Sequence, residues 1–292
     1  MSDDASGQHL DILLGLLDLE RLELNLFRGQ NRDIGSGRVF GGQVLAQGLV
    51  AAGHTVEGRV AHSLHGYFML PGDVDTPIVY QVDRIRDGRS FTTRRVLALQ
   101  QGREIFTMVC SFQVEEAGID HGAPLPDVPP PEALPRELDL VRAMADRIPE
   151  PLRPVYTQDR PIDFRPVAPL DPFAPERRPP LKHQWFRAEG TMPDDPILHQ
   201  AVLAYASDYG LLGAALLPHG LSFLMRQVQA ASLDHAVWFH RPFRVDDWLL
   251  YAIDSPVAAR ARGFTRGSIF TRDGVLVAST AQEGLLRLRR EE

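Results

Sequence analysis

The sequence predicts an α+β chain built from two tandem units, each a single buried helix held by a run of antiparallel strands. Three observations carry this: an internal repeat, two helices of small apolar residues, and a proline-rich segment between the halves. In the first half Tyr67-Phe68-x-x-Pro71 is followed by Val74 and Tyr80. In the second, Trp238-Phe239-x-x-Pro242 is followed by Val245 and Tyr251. Each pair is 171 residues apart, a spacing that points to duplication. The turn Gln101-Gly102 aligns with Asp273-Gly274 after a shift of one residue. Alternating apolar residues follow both turns, the pattern of half-buried hairpin strands. They are Phe106, Met108, Cys110 and Phe112 in one half, and Leu276, Ala278 and Thr280 in the other.

A helix precedes the strands in each half. The first starts near Gly42, runs through Val44, Leu45, Leu49, Val50 and Ala52, and stops at Gly53, a residue suited to a helix end. The second is expected over Pro196 to Leu216, with Asp194 or Asp195 as cap and Pro196 in the first turn. Ala and Gly dominate both. A helix so small and apolar on most sides needs wrapping, and the following strands supply it. This is the hotdog arrangement, here twice: a double hotdog in which one chain forms a pseudo-dimer.

Sixteen of the 23 prolines lie between residues 116 and 180. Proline fixes φ and removes a donor, so neither sheet nor long helix is expected there. The one helix expected is Arg136 to Ile148. Residues 1–115 thus form an N-terminal unit, 116–180 an ordered proline-rich linker and 181–292 a C-terminal unit. Leucine-rich Leu10–Leu26 reads as an extra amphipathic helix.

Composition bounds the function. A net charge of −7 argues against a broad nucleic-acid footprint. Cys110 is the single cysteine, so no intrachain disulfide forms, in keeping with a reducing compartment. The acidic Met1–Asp4 start lacks signal-peptide character. The apolar run Leu211–Leu217 is too short to span a membrane. Arg290–Glu292 is not the peroxisomal tripeptide. The expected location is cytoplasmic.

Several motifs carry little. Gly35-x-Gly37-x-x-Phe40 lacks the third glycine of a dinucleotide fingerprint. On a strand, the residues of His62-x-x-His65 point to opposite faces, which disfavours a metal site. No Gly-x-Ser-x-Gly elbow occurs. Gly41-Gly42-Gln43 opens the first helix, where backbone N–H groups and the helix dipole suit a developing oxyanion.

Asp208 is a carboxylate among apolar neighbours, a costly placement without a partner. Around it the sequence resembles the type II acyl-CoA thioesterases (TesB-like, double hotdog). The resemblance rests on Phe27-Arg28-Gly29-Gln30, Val39-Phe40-Gly41-Gly42-Gln43, Tyr67-Phe68-x-x-Pro71-Gly72-Asp73 and Tyr205-Ala206-Ser207-Asp208. It continues in His235-x-x-Trp238-Phe239-His240-Arg241-Pro242-Phe243, in Ala261-Arg262-Gly263-Phe264 and in Asp273–Gly284. It implies a hydrolase that converts acyl-CoA and water to fatty acid and CoA, with no cofactor or metal. It also implies association into homo-oligomers. The family's water-activating aspartate, threonine and glutamine fall on Asp208, Ser232 and Gln282, with serine in place of threonine. Arg262 and Arg266 are candidates for the CoA phosphates. Rival readings are a covalent Ser232 with His235 as base, a non-catalytic acyl-CoA binding module, and a hotdog enoyl-CoA hydratase. The hydratase needs an Asp/His pairing for which the sequence offers no evident histidine. Cys110 stands where the second half has Gln282, so the resemblance places one site in a pseudo-symmetric pair.

Overall fold

The computed structural model describes residues 3–35, 37–225 and 227–289. The chain ends on which the reading of compartment rests, Met1-Ser2 and Arg290–Glu292, lie outside them. The first half comprises α1 (Asp3–Leu17), β1 (Glu20–Glu23), β2 (Leu26–Gly29), α2 (Gly41–Gly53), β3 (Val60–Phe68), β4 (Ile78–Asp87), β5 (Phe91–Gln100) and β6 (Arg103–Gln113). The connecting segment holds α3 (Glu137–Ala143), α4 (Arg153–Thr157) and β7 (Ile162–Pro166). The second half comprises β8 (Leu181–Ala188), α5 (Pro196–Ser207), a 3₁₀ segment (Leu211–His219), β9 (Val228–Ser232), β10 (Asp234–Phe239), β11 (Leu249–Ala259), β12 (Arg262–Thr271) and β13 (Leu276–Leu288).

One antiparallel sheet runs β1-β2-β4-β5-β6-β3-β10-β13-β12-β11-β8-β7, with β9 beside β13. The order is a palindrome about the β3–β10 seam, where Tyr67 faces Asp234 and Ser63 faces Trp238. Six strands lie on each side of the seam, as duplication requires, and β9 has no separate counterpart. The structure is a double hotdog. Both central helices lie against the concave face and against each other. Gly42–Ala52 of α2 and His199–Ser207 of α5 are buried throughout. Their small residues permit this double contact: at Gly48 a Cβ would sit 3.2 Å from the Met108 side chain.

Four features differ from expectation. The leucine-rich start is a helix only to Leu17. A turn before Leu26 then forms the β1–β2 hairpin, whose Phe27 pairs with Tyr80 of β4. The expected helix at Arg136–Ile148 shortens to α3 and a 3₁₀ turn. The proline-rich segment also contributes a strand. β7 pairs with β8 at the sheet edge, where Pro166 leaves no internal ladder bond unmade. This segment is fastened to the second half. Trp185 Nε1 donates to Pro129 O at 2.9 Å, Arg272 grips Glu132 with two hydrogen bonds, and Arg136 pairs with Glu189.

The second helix ends sooner than Leu216. Asp195 caps its start by accepting from Ile197 N. After Ser207 the chain breaks at Asp208 and turns through Gly210 at φ 68°, a left-handed conformation that favours glycine. Together, Pro196–His219 has the length and hydropathy of a membrane span, yet 72% of its most apolar window is buried inside the fold. It is core.

Cys110 is buried between Arg94 and Leu64, and burial pushes its thiol pKa up to about 12. The native protein should therefore resist a thiol reagent at neutral pH and react once denatured. Stoichiometric labelling of the native chain would contradict this burial.

Candidate functional site

Asp208, Ser232 and Gln282 meet on the concave side of the second half. Each arrives by a different route. Asp208 is the C-terminal cap of α5, not an interior residue of a long helix. Its side chain is only 6% exposed. Gln282 lies on β13 opposite Thr265 of β12. It is 1% exposed, because its parity on the strand matches Ala278, Thr280 and Gly284, which face the helix. Ser232 ends β9, opposite Gly284.

The geometry joins all three. Gln282 Nε2 donates to Asp208 Oδ1 at 2.7 Å and to Ser232 Oγ at 3.1 Å. Ser232 Oγ lies 3.5 Å from the same Oδ1. Both amide hydrogens of Gln282 are thereby used. Its Oε1 is buried and has no hydrogen-bond partner.

The glycine turn joins the site from the other half. A Cβ at Gly41 would stand 2.7 Å from Asp208 Oδ2 and 2.9 Å from the Phe68 ring. At Gly42 it would stand 2.4 Å from Tyr205 O. The N-terminus of α2 therefore abuts the C-terminus of α5. Phe40, its N-cap, offers no side-chain acceptor, and packs instead on Tyr205 and Tyr209. Gln43 plays a different part. Its N–H bonds Phe40 O, and its side chain turns away to Gln30 and Asn31. Gly41 and Gly42 keep the first N–H groups of the helix, which have no carbonyl one turn earlier.

Arg262 and Arg266 are not brought to the trio. On β12, Gly263, Thr265 and Gly267 face inward and the residues between them face out. Both arginines lie on the outer face, where Arg262 pairs with Glu283 at 2.8 Å and Arg266 with Asp254 at 2.5 Å. Strand parity alone places them there. His62 and His65 likewise part company, packing on Phe91 and Trp238.

The sequence offered His235 only as a base for a covalent Ser232. Three residues along a regular strand it should face away from Ser232. A bulge prevents this: Ser232 pairs with Gly284 while Ala236 pairs with Ala281, so the register slips by one across Leu233. The extra residue returns His235 to the concave face. Its Nδ1 lies 3.9 Å from Asp208 Oδ1, and its Nε2 lies 2.9 Å from Ser207 Oγ. An Asp/His pair therefore exists, but the buried imidazole makes no hydrogen bond to the carboxylate. Neither ring nitrogen is hydrogen-bonded to Ser232.

A cavity of about 920 Å³ lies under the proline-rich segment; none of Asp208, Ser232 and Gln282 lines it. Its wall includes Tyr209 and Gly210, which follow Asp208, and Ala230, on the same face of β9 as Ser232. Leu140, Val141 and Met144 of α3 line the roof.

The first half shows what became of the equivalent position. The C-cap of α2 is His54, matching Asp208. Cys110 lies opposite Arg94 as Gln282 lies opposite Thr265. Arg94, 1% exposed, fills the space and bonds Thr55 Oγ1, Thr55 O and Asp87.

Comparison with known proteins agrees with this architecture. Residues 152–285 match the family model "Acyl-CoA thioesterase", and residues 30–113 match "Acyl-CoA thioesterase N-terminal domain". The chain is 41% identical to acyl-CoA thioesterase 2 of Haemophilus influenzae, over 95% of this chain and 98% of that one. It is 41% identical to human acyl-coenzyme A thioesterase 8, over 94% of this chain and 88% of the relative. The crystal structure of acyl-CoA thioesterase II TesB2 from Mycobacterium marinum superposes with a TM-score of 0.78 at 43% identity, covering 95% of this chain and 98% of that one. Fold, internal duplication and full-length identity together place this chain in the acyl-CoA thioesterase family.

Proposed function

We propose that the chain hydrolyses acyl-CoA thioesters by direct attack of water, with Asp208 as general base and Ser232 and Gln282 fixing the water and the carboxylate. The observation that carries this is the double donation of Gln282 Nε2 to Asp208 and Ser232. It ties down Oδ1 and leaves Oδ2 turned toward Gly41. A water held by Oδ2 and by Gln282 Oε1 would face a thioester carbonyl bound at the Gly41 and Gly42 N–H groups. Oδ2 takes a proton from the water as its oxygen bonds to the carbonyl carbon. The oxyanion forms against the start of α2, where fixed N–H dipoles need no reorganisation. As the carbonyl re-forms, the C–S bond breaks and the proton passes from Asp208 to the CoA thiolate.

Covalent catalysis by Ser232 is disfavoured, since His235 is directed to Ser207 and Asp208. A hydratase pairing is disfavoured too, since His235 is held by Ser207 and makes no hydrogen bond to Asp208. Thiol release from palmitoyl-CoA and shorter acyl-CoAs tests the proposal. Tight binding without thiol release at any chain length would refute it.

Gly41→Ala should lower kcat by about 10²–10³-fold, the scale of losing one oxyanion donor. The methyl meets both Asp208 Oδ2 and Phe68. Steady-state kinetics would show the loss; unchanged kcat would remove α2 from the mechanism.

A further inference from the structure

The cavity under the proline-rich segment, at about 920 Å³, is near the upper end of the range for small-molecule sites, about 300–1,000 Å³. Leu140, Val141, Met144, Phe164, Leu217 and Phe223 give it apolar walls. Its charges are uneven. Five Lys and Arg side chains line it against two carboxylates, in a chain whose net charge is −7. Both carboxylates are already paired, Glu137 with Arg160 at 3.1 Å and Asp159 with Arg142 at 2.9 Å.

Lys182 is the odd residue in this wall. On β8 it shares parity with Phe186 and Ala188, which belong to the main core, so its stem points to the concave side. A Cβ at Gly210 would stand 2.6 Å from its Nζ, which puts the ammonium beside the turn that follows α5. Among the described residues it makes no hydrogen bond and no ion pair. Burial lowers its pKa, and the carboxylate that acts against this, Glu137, is held by Arg160. A lysine so placed costs stability while it lacks a counter-ion. Arg32 lines the same cavity, and its side chain likewise has no hydrogen bond or ion pair among the described residues. The Tyr205 and Tyr209 hydroxyls, in the same wall, share one contact of 3.3 Å. That contact uses one of their two hydrogens, and the other has no partner among the described residues.

We propose that this cavity binds a free aliphatic carboxylate, a fatty acid, with its chain along the apolar wall and its carboxylate at Lys182. The ligand class follows from the two parts of the lining. The walls suit an alkyl chain, and the lone ammonium suits one compact anion. Arg32 and the spare tyrosine hydrogen are further donors in the same wall. A ligand rich in phosphate would leave the apolar walls bare. The site is separate from Asp208, Ser232 and Gln282, which do not line it, and the inference stands independently of the role given to Asp208.

Calorimetric titration of the full-length protein with decanoate, below its micellar concentration, tests this. One equivalent should bind. Decanol has the same chain without the charge. It should bind more weakly by about ten- to a hundredfold, the scale of a hydrogen bond to a charged group. Lys182→Met should weaken decanoate binding by the same factor and leave decanol unaffected. The substitution keeps the length and apolar contact of the stem. Its melting temperature should be no lower than wild type, because a desolvated charge is removed. Saturating CoA should leave the affinity for decanoate unchanged. Equal affinity for decanoate and decanol would overturn the proposal, as would no binding at all. Wild-type decanoate affinity in a folded Lys182→Met would also overturn it. Displacement of decanoate by CoA would assign the binding to the thioester site instead. If Lys182→Met does not fold, the comparison of decanoate with decanol on the natural protein decides.

Discussion

Asp208→Asn should lower kcat for acyl-CoA hydrolysis by about 10²–10⁴-fold, the range for a positioned proton acceptor. The substitution keeps shape and volume. An asparagine carbonyl in the place of Oδ1 can still accept from Gln282 Nε2, so the link among residues 208, 232 and 282 survives. What disappears is the second oxygen, turned toward Gly41, and with it the capacity to take a proton. An amide nitrogen there would offer a hydrogen to the water instead of removing one. KM should change little, since the carboxylate acts in the transition state rather than in binding. Thiol release under saturating substrate, with a melting curve to show the fold intact, measures the effect. Turnover near wild type would remove Asp208 from the role of base.

Arg94→Ala should destabilise the protein by about 3–5 kcal/mol, the range for breaking a buried charged network. Arg94 is almost fully buried, and its guanidinium bonds Thr55 Oγ1, Thr55 O and Asp87 Oδ1, at 2.8, 3.1 and 2.6 Å. It also reaches the carbonyls of Arg86 and Thr93. Truncation leaves a void and strips the donors from the carbonyl just beyond α2. Asp87 is half exposed, so its share is small; the loss comes from the void and the orphaned Thr55 groups. A fall in Tm of about 10 °C is expected. Activity of the folded fraction below the transition should persist, because the trio lies in the other half. A melting temperature within a degree or two of wild type would mean that Arg94 is dispensable in its pocket.

These two substitutions probe different positions around the equivalent regions of a duplicated fold. Where the second half puts Asp208 at the end of its helix, the first has His54. Gln282 and Thr265 are answered by Cys110 and Arg94. The aromatic–proline–tyrosine repeat was legible because it fixes strand register, which sequence spacing records directly. The palindromic sheet order follows from the same register.

Other features were hidden for definite reasons. Leucines at Leu10–Leu26 fit a helical stripe, and only the turn before Leu26 and the pairing of Phe27 with Tyr80 show where helix gives way to hairpin. The second helix looked continuous through Asp208 because its composition stays apolar; the break depends on Gly210 adopting positive φ. Arg262 and Arg266 looked suited to phosphate, but their parity on β12 turns them outward.

By itself, the sequence determined the double hotdog and the two buried helices, since periodicity and repeat spacing are local properties of the chain; the trio was an expectation drawn from the family resemblance. Only the tertiary structure decided which atoms meet. The helix break aims Asp208 into the site, the bulge at Leu233 returns His235 to the concave face, and the start of one half's helix closes on the end of the other's. Each depends on contacts between residues far apart in the chain, and on one-residue shifts that no periodicity records.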